Sequence, residues 1–419
     1  MGRRIPAQLC TRCKGYKKLC GLSSCPILAK FRAQITALAN IPATLNVQGS
    51  TPPSIIIGEK HYPKVPILYT VPPGVTGQEA TIYDHPIKWS TDKLPLRTIL
   101  ELRAGTLSST IRVRVDNPWK LYESEISLAA VSTNPVDSEA YLEKRPTPTL
   151  RFDGTLTPYG PTAPARRIKI TTNPLINPKL DKLIHDDVSS QKAIIELYST
   201  QLDIYTIIRA LSLGLLGRSR SRRLVPTRWA ITAVDQTIAT HLLHKVRTFK
   251  PVNKIEIYYG GYLGNYFTII LLPGSYEAEM VEIWHPLTPW TQSSSEPVAY
   301  FIREYNSLRI EPLDGGYIAS RLPVAEHLYT RKRQAKVLII REITREYYAP
   351  VGNWHIRETT RKILSKQPLA RVDTVEEAIE IIKNNKLPKS RTYIKTLYES
   401  SLLRKYYLQT TLDKYLSSY

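Results

Sequence analysis

The stretch KIEIYYGGYLGNYFTIILLP (Lys254–Pro273) decides the fold class. Ile255, Ile257 and Tyr259 recur at every second position, the period of a strand with a buried face. Gly260, Gly261, Gly264 and Asn265 are turn formers, and Tyr266 to Leu272 is an apolar return, so the stretch is expected to be a β-hairpin. Helical patterns flank it. RWAITAVDQTIATHLLHKVRTF (Arg228–Phe249) sets Ile231, Val234, Ile238, Leu242 and Val246 at steps of three and four, and Ser189–Gly217 shows the same spacing. Further strands are expected at Val298–Arg303 and Val337–Ile343. Helix returns at TVEEAIEIIKNN, where Thr374 and Glu377 have capping-box spacing, and the chain from Arg391 permits helix.

Upstream, from about Gln34 to Pro164, the chain is rich in Pro, Thr and Gly. Runs such as SIIIG, TIRVRV and ISLAAVS suggest short strands and loops. There is no internal repeat. The expectation is an α+β protein: a four-cysteine zinc-binding module at 1–33, a β-rich region at 34–165, a mixed α/β core at 166–365, and a helical tail at 366–419.

At 419 residues, two or three domains are expected, and 42% hydrophobic content is that of a folded chain. The apolar run IIRALSLGLLG (Ile207–Gly217) is too short to span a bilayer and carries an arginine. The N-terminus is charged without an apolar core segment, so no secretory signal is expected and the cytoplasm is the expected location. Two Met and four Cys beside 31 Pro fit a thermophilic source.

The net charge is +22, which favours polyanionic partners, nucleic acid before membrane. Met1–Gly58 contains no Asp or Glu. All four cysteines lie in CTRCKGYKKLCGLSSCP, as Cys10, Cys13, Cys20 and Cys25. A two-residue gap between the first pair, followed by two further thiolates, suits one tetrahedral, structural Zn²⁺ per chain. A [4Fe–4S] cluster or two disulfides are the alternatives. Lys14, Lys17 and Lys18 offset the charge of four thiolates and leave a basic knob.

LGRSRSRRLVPTRWAITAVD (Leu216–Asp235) places Arg218, Arg220, Arg222 and Arg223 within six residues. Pro226 and Thr227 are helix-start signals, and a helix N-terminus with converging arginines suits a phosphate. Arg228, Thr232 and Asp235 share one side of that helix. They either orient a phosphate or join an ion-pair network that docks the helix. The segment YAPVGNWHIRETTRK adds Arg357 and Arg361 at i, i+4, able to hold phosphates or to flank a core. Ingredients for phosphodiester or nucleotide hydrolysis exist in Asp235, Glu282, Asp314, Glu358, His241, His244 and His355. There is no P-loop, GxGxxG, HExxH or GxSxG motif. An RNA or ribosome partner is a third class that charge alone would permit.

RRLVPTRWAITAVD resembles, nearly residue for residue, the signature of the archaeal Nre family of DNA repair proteins. PPSIIIGEKHYPKV, VSTNPVDSEAYLEKRP, GPTAP, GGYIASRL and YAPVGNWHIRE resemble other elements of that family, over nearly the whole chain. The cysteines point to its zinc-bearing branch. The resemblance implies a DNA repair role and contact with the replication sliding clamp (PCNA) through a C-terminal peptide (PIP motif); the net charge and the arginine stretch add the expectation of DNA binding, and with it a nucleoid-associated location. It implies no particular chemistry. QTTLDKYLSSY then supplies Gln409, Leu412, Tyr415 and Leu416 at clamp-peptide spacing. One tight turn would bring the last three to one side as a hydrophobic plug. Leu416 stands where a second aromatic is usual. An amphipathic C-terminal helix is the plainer alternative.

Overall fold

The computed structural model describes residues 10, 12–17, 19, 25–150, 159–286, 288, 291 and 294–408. These fall into two compact units, one within Leu9–Ile238 and one within Ala239–Tyr419. The division lies inside a helix, not at the region boundaries expected from composition. Composition changes at loops, whereas a compact unit is defined by which strands pair.

The N-terminal unit runs α1 (Pro26–Ala39), β1 (Asn46–Thr51), β2 (Ile55–Ile57), β3 (Lys64–Val71), α2 (Pro86–Thr91), α3 (Leu96–Ala104), β4 (Leu107–Arg114), α4 (Trp119–Glu123), α5 (Ile126–Val131), β5 (Val136–Leu142), β6 (Thr162–Ile170), α6 (Pro178–Ile184), α7 (Ser190–Ser199), α8 (Ile204–Ser212) and the start of α9 (Thr227–Val246). Its six strands form one sheet in the order β1-β5-β6-β4-β3-β2. All pairings are antiparallel except β4 with β6, which is parallel over Ser108–Thr110 and Thr162–Pro164 alone. ISLAAVS, expected as strand, is the buried helix α5. A six-residue apolar run fits either state, and here it packs against β6 and α8. The helical stretch 189–217 is two helices. Gln201 takes φ 61° between them, and Asp203 caps α8 by accepting from Thr206 N at 3.1 Å.

The C-terminal unit continues α9 into β7 (Ile255–Tyr262), β8 (Asn265–Leu272), β9 (Glu277–Trp284), β10 (Val298–Glu304), β11 (Ile310–Glu311), α10 (Gly315–Arg331), β12 (Lys336–Ile343), α11 (Trp354–Leu364), β13 (Ala370–Val372), α12 (Val375–Asn384), α13 (Arg391–Glu399) and α14 (Ser401–Leu408). Its seven-stranded sheet is ordered β11-β10-β9-β12-β8-β7-β13, antiparallel except for β9 with β12. The hairpin forms, with Tyr262 paired to Asn265 and a two-residue turn of Leu263 (φ 52°) and Gly264 (φ 71°). Gly260 and Gly261 are not in that turn. They lie in β7, where a Cβ on Gly260 would sit 2.7 Å from Ile363 Cγ1 of α11. The glycine admits the helix, not a reversal.

Every residue of β12 is buried, because both faces of the sheet are covered. One face packs Ile257, Ile270, Val281, Leu338 and Ile340 against Ala378, Ile382, Tyr393, Leu397 and Leu402 of the last three helices. At about 1.5–3 kcal/mol for each such side chain, the helices after Val372 are integral to the core and not an appended tail. Thr374 and Glu377 form the expected capping box. The other face carries buried ion pairs beneath α10 and α11. Glu304 accepts from Tyr276 (2.9 Å), Tyr317 (2.5 Å) and Arg321 (2.6 Å), all fully buried.

Candidate nucleic-acid interface

In the N-terminal unit the sheet forks. The parallel ladder between β4 and β6 ends at Pro164, which has no N–H to donate. Beyond it β4 follows β3, and β6 follows β5. Between them opens a cleft of about 880 Å³, walled by Ile111–Val113 and Ala165–Ile168 and closed beneath by Leu121, Ser124 and Ile126. A bulge shapes one wall. Tyr141 opposes Arg167 and Leu142 opposes Ala165, so Arg166 is extra. Two consecutive arginines, Arg166 and Arg167, are therefore both exposed where alternation would bury one.

Lys64, Arg112, Lys120 and Lys144 line the same cleft and are exposed; Glu143 is its acidic residue. Among the described residues, none of these six cations has an ion-pair partner. Six unpaired cations around a concavity focus a positive potential suited to a phosphodiester backbone. Sequence reading missed all six, because they come from five separate segments. The adjacent arginines inside the apolar pattern of TAPARRIKI were the available signal.

The arginine stretch runs alongside. Val115 N donates to Pro63 O (2.8 Å), and Leu224 N donates to Val115 O (2.8 Å), which ties three segments together at the end of β4. Arg218, Arg220 and Arg223 are exposed there. Arg222 is not: it is 3% exposed and its guanidinium donates to the carbonyls of Ile184 (2.5 Å), Asp186 (2.7 Å) and Gly217 (2.8 Å). It closes the C-terminal end of α6 and lies over Trp119 at 5.5 Å. Burial lowers its pKa from the ordinary guanidinium value. α9 begins at Thr227, whose hydroxyl accepts from Ile57 N at 2.8 Å, and exposed Arg228 pairs with Glu59 at 3.3 Å. Arg222 and Arg228 thus serve different partners. Asp235 is buried.

In the C-terminal unit Arg357 is buried, and Arg361 is clasped by Glu326 (2.9 and 3.0 Å) and Glu358 (2.9 Å). Of the candidate hydrolytic residues, Glu282, Asp314 and Glu358 are held by partners within the fold. Glu282 accepts from Arg341 (2.5 Å) and Trp284 (3.1 Å). Asp314 caps α10 by accepting from Tyr317 N (2.8 Å), and Glu358 pairs with Arg361. His355 is buried, with its pKa lowered to about 3 by burial and by Arg341. Burial, with Lys245 and His244, holds His241 below the ordinary imidazole value, and His244 is exposed. What this unit presents is a set of paired charges stabilising a sheet.

At the N-terminus, Lys14 N donates to Cys10 O (2.8 Å), and Tyr16 N and Lys17 N donate to Cys13 O (3.0 and 3.3 Å). Lys14 (φ 46°) and Gly15 (φ 81°) reverse the chain so tightly that a Cβ on Gly15 would meet Cys25 Sγ at 3.3 Å. Among the described residues, no three His, Cys, Asp or Glu side chains form a group able to hold a metal. Cys20 lies outside the described residues, as do Gln409, Leu412, Tyr415 and Leu416. No helix among the described residues is long and apolar enough to cross a membrane.

Two family models cover nearly the whole chain: archaeal Nre, N-terminal, over residues 19–291, and archaeal Nre, C-terminal, over residues 304–415. The chain belongs to the archaeal Nre family. Similar proteins include DNA repair protein NreA of Archaeoglobus fulgidus, 35% identical over 86% of this chain and 89% of that protein. NreA of Haloferax volcanii is 34% identical over 80% and 81%, and A. fulgidus DNA repair protein NreB is 31% identical over 89% and 92%. No solved structure matches. The forked sheet and its basic cleft lie within the span of the family's N-terminal model.

Proposed function

We propose that this chain is a DNA repair protein that binds DNA through the basic face of its N-terminal unit and is tethered to the replication sliding clamp (PCNA) by its last residues. The observation that carries the DNA-binding part is the cleft of Lys64, Arg112, Lys120, Lys144, Arg166 and Arg167, whose cations are unpaired among the described residues. Arg218, Arg220 and Arg223 are exposed on the segment that Leu224 N ties to Val115 O at the end of β4. The names of the NreA and NreB relatives support the repair role. The tether rests on the spacing of Gln409, Leu412, Tyr415 and Leu416. One structural zinc would be held by Cys10, Cys13, Cys20 and Cys25. The reversal at Lys14–Gly15, which leaves the turn after Cys13 against Cys25, suits such a centre, and thiolates are the donors zinc prefers.

The direct test is the salt dependence of DNA affinity. Each neutralised phosphate releases counterions, so six contacts give a slope of log Kobs against log[salt] of about −4 for a single strand or about −5 for a duplex. Arg166→Ala with Arg167→Ala removes two contacts and should make the slope shallower by about 1.5–2. An unchanged slope and affinity in that double variant would show that DNA does not use the cleft.

A further inference from the structure

Two largely exposed aromatic side chains lie on segments tied, directly or through one another, to the end of β4, the strand that walls the cleft. Tyr62 is 75% exposed and Trp229 is 57% exposed, and a tryptophan is on average a highly buried residue. Tyr62 occupies the tight loop between β2 and β3. There Lys64 N donates to His61 O (2.9 Å) and Pro63 O accepts from Val115 N, which pins the loop to the end of β4. Lys64, two residues on, lines the cleft, and Tyr62 lies within electrostatic reach of Arg114. Trp229 sits in the first turn of α9. That turn is held to the same loop by the Thr227–Ile57 bond and the Arg228–Glu59 pair. Arg223 lies close to Asp116 just past β4: the hydrogen bond from Arg114 lowers the pKa of the Asp116 carboxyl, and the charge of Arg223 adds to it.

Cations with solvent-facing aromatics are the composition of a surface that handles unpaired bases. Phosphates follow the charges, and bases lie on the rings whatever their identity. A duplex cannot use such rings, because its bases are already stacked inside and show only their edges in the grooves.

We propose that Tyr62 and Trp229 form a stacking platform for unpaired bases of single-stranded DNA whose backbone continues into the cleft lined by Lys64, Arg112, Arg166 and Arg167. This rests on the DNA-binding reading above and narrows it to one strand form. The plainer explanation for exposed rings, a protein contact, leaves strand preference unaffected and is separated by the same experiment.

The experiment measures fluorescence anisotropy with the full chain, a labelled 20-nucleotide oligo(dT) and a 20-base-pair duplex. Wild type should bind the single strand more tightly. Tyr62→Ala and Trp229→Ala should each weaken that binding by about fivefold or more, and Tyr62→Phe should keep it, since the ring is what stacks. Neither Ala change should alter the salt slope or duplex affinity, and circular dichroism checks that the variants are folded. Trp229→Phe should abolish part of the tryptophan quenching produced by the strand. Folded Ala variants that bind oligo(dT) like wild type, or a wild type that prefers duplex, overturn the platform. If those results come with a shallower slope in the Arg166→Ala/Arg167→Ala protein, the cleft reading stands and the platform alone falls. No binding to either DNA overturns both.

Discussion

His355 should make this protein lose stability in acid over a defined range. Its Nδ1–H donates to Gly352 O at 2.6 Å, so Nε2 keeps its lone pair and faces the Arg341 guanidinium at 3.3 Å. Arg341 is itself fixed by Asn265 Oδ1 (2.6 and 2.9 Å) and by Glu282 (2.5 Å), and cannot withdraw. The Tyr347 ring lies 4.8 Å from the imidazole. A proton on Nε2 would set two cations face to face in a buried site. Burial first, and Arg341 second, therefore hold the folded pKa near about 3, against 6.5 for a free imidazole.

The unfolded chain takes up that proton as pH falls through about 6.5, while the folded chain takes it up only near about 3. Above 6.5 both states are neutral and the group contributes no pH dependence. Below it the unfolded state gains about 1.4 kcal/mol per pH unit, or roughly 2–3 kcal/mol by pH 4.5. Carboxylates also titrate there, so the quantity to read is a difference. Urea unfolding of wild type and His355→Gln, followed by circular dichroism between pH 7.5 and 4.5, isolates it. Gln can accept from Arg341 and donate to Gly352 without titrating. Wild type should lose about 2–3 kcal/mol more than the variant over this range. Parallel pH profiles would refute the claim that His355 is buried neutral against Arg341.

Arg222→Ala should cost several kcal/mol of stability by leaving buried carbonyls without a donor, yet leave the salt slope of DNA binding unchanged, whereas Arg218, Arg220 and Arg223 changed together to Ala should flatten the slope with little effect on urea midpoint. Elemental analysis should find one zinc per chain, lost in Cys13→Ser, with thermal unfolding of the rest unaltered. Truncation before Gln409 should abolish binding to the sliding clamp in calorimetry, and Tyr415→Ala should weaken it about thirtyfold or more; undiminished affinity after truncation would disprove the tether.

Local periodicity made much of the fold legible. The alternation in Ile255–Tyr259, the three- and four-residue steps through Val234, Ile238 and Leu242, and the Thr374/Glu377 box each specify their element from neighbours in sequence. The failures share a cause: the deciding partner was distant. Gly260 looks like a turn residue until Ile363, more than a hundred positions away, is seen to lie over it. Ile126–Val131 is short enough for either state, and only its packing on β6 and α8 selects helix. The last helices look like a tail because nothing local says that they cover Leu338 and Ile340.

Charge is harder to read than periodicity because a sequence counts cations without telling which are already satisfied. Arg222 sits in the densest arginine cluster, yet its donors are spent on carbonyls of Ile184, Asp186 and Gly217. Arg361 is likewise held by two glutamates. Arg166 and Arg167 lie in a strand, where one of a consecutive pair should point inward, and only the bulge opposite Tyr141 and Leu142 turns both out. An arginine donating to buried carbonyls cannot release them for a phosphate without leaving acceptors unpaired, at a cost of about 1–3 kcal/mol each. An exposed arginine gives up only water. The cations on which the proposed DNA contact rests are thus those whose positions the sheet sets but whose charges, among the described residues, the fold leaves unpaired, and they line the cleft where β4 and β6 part.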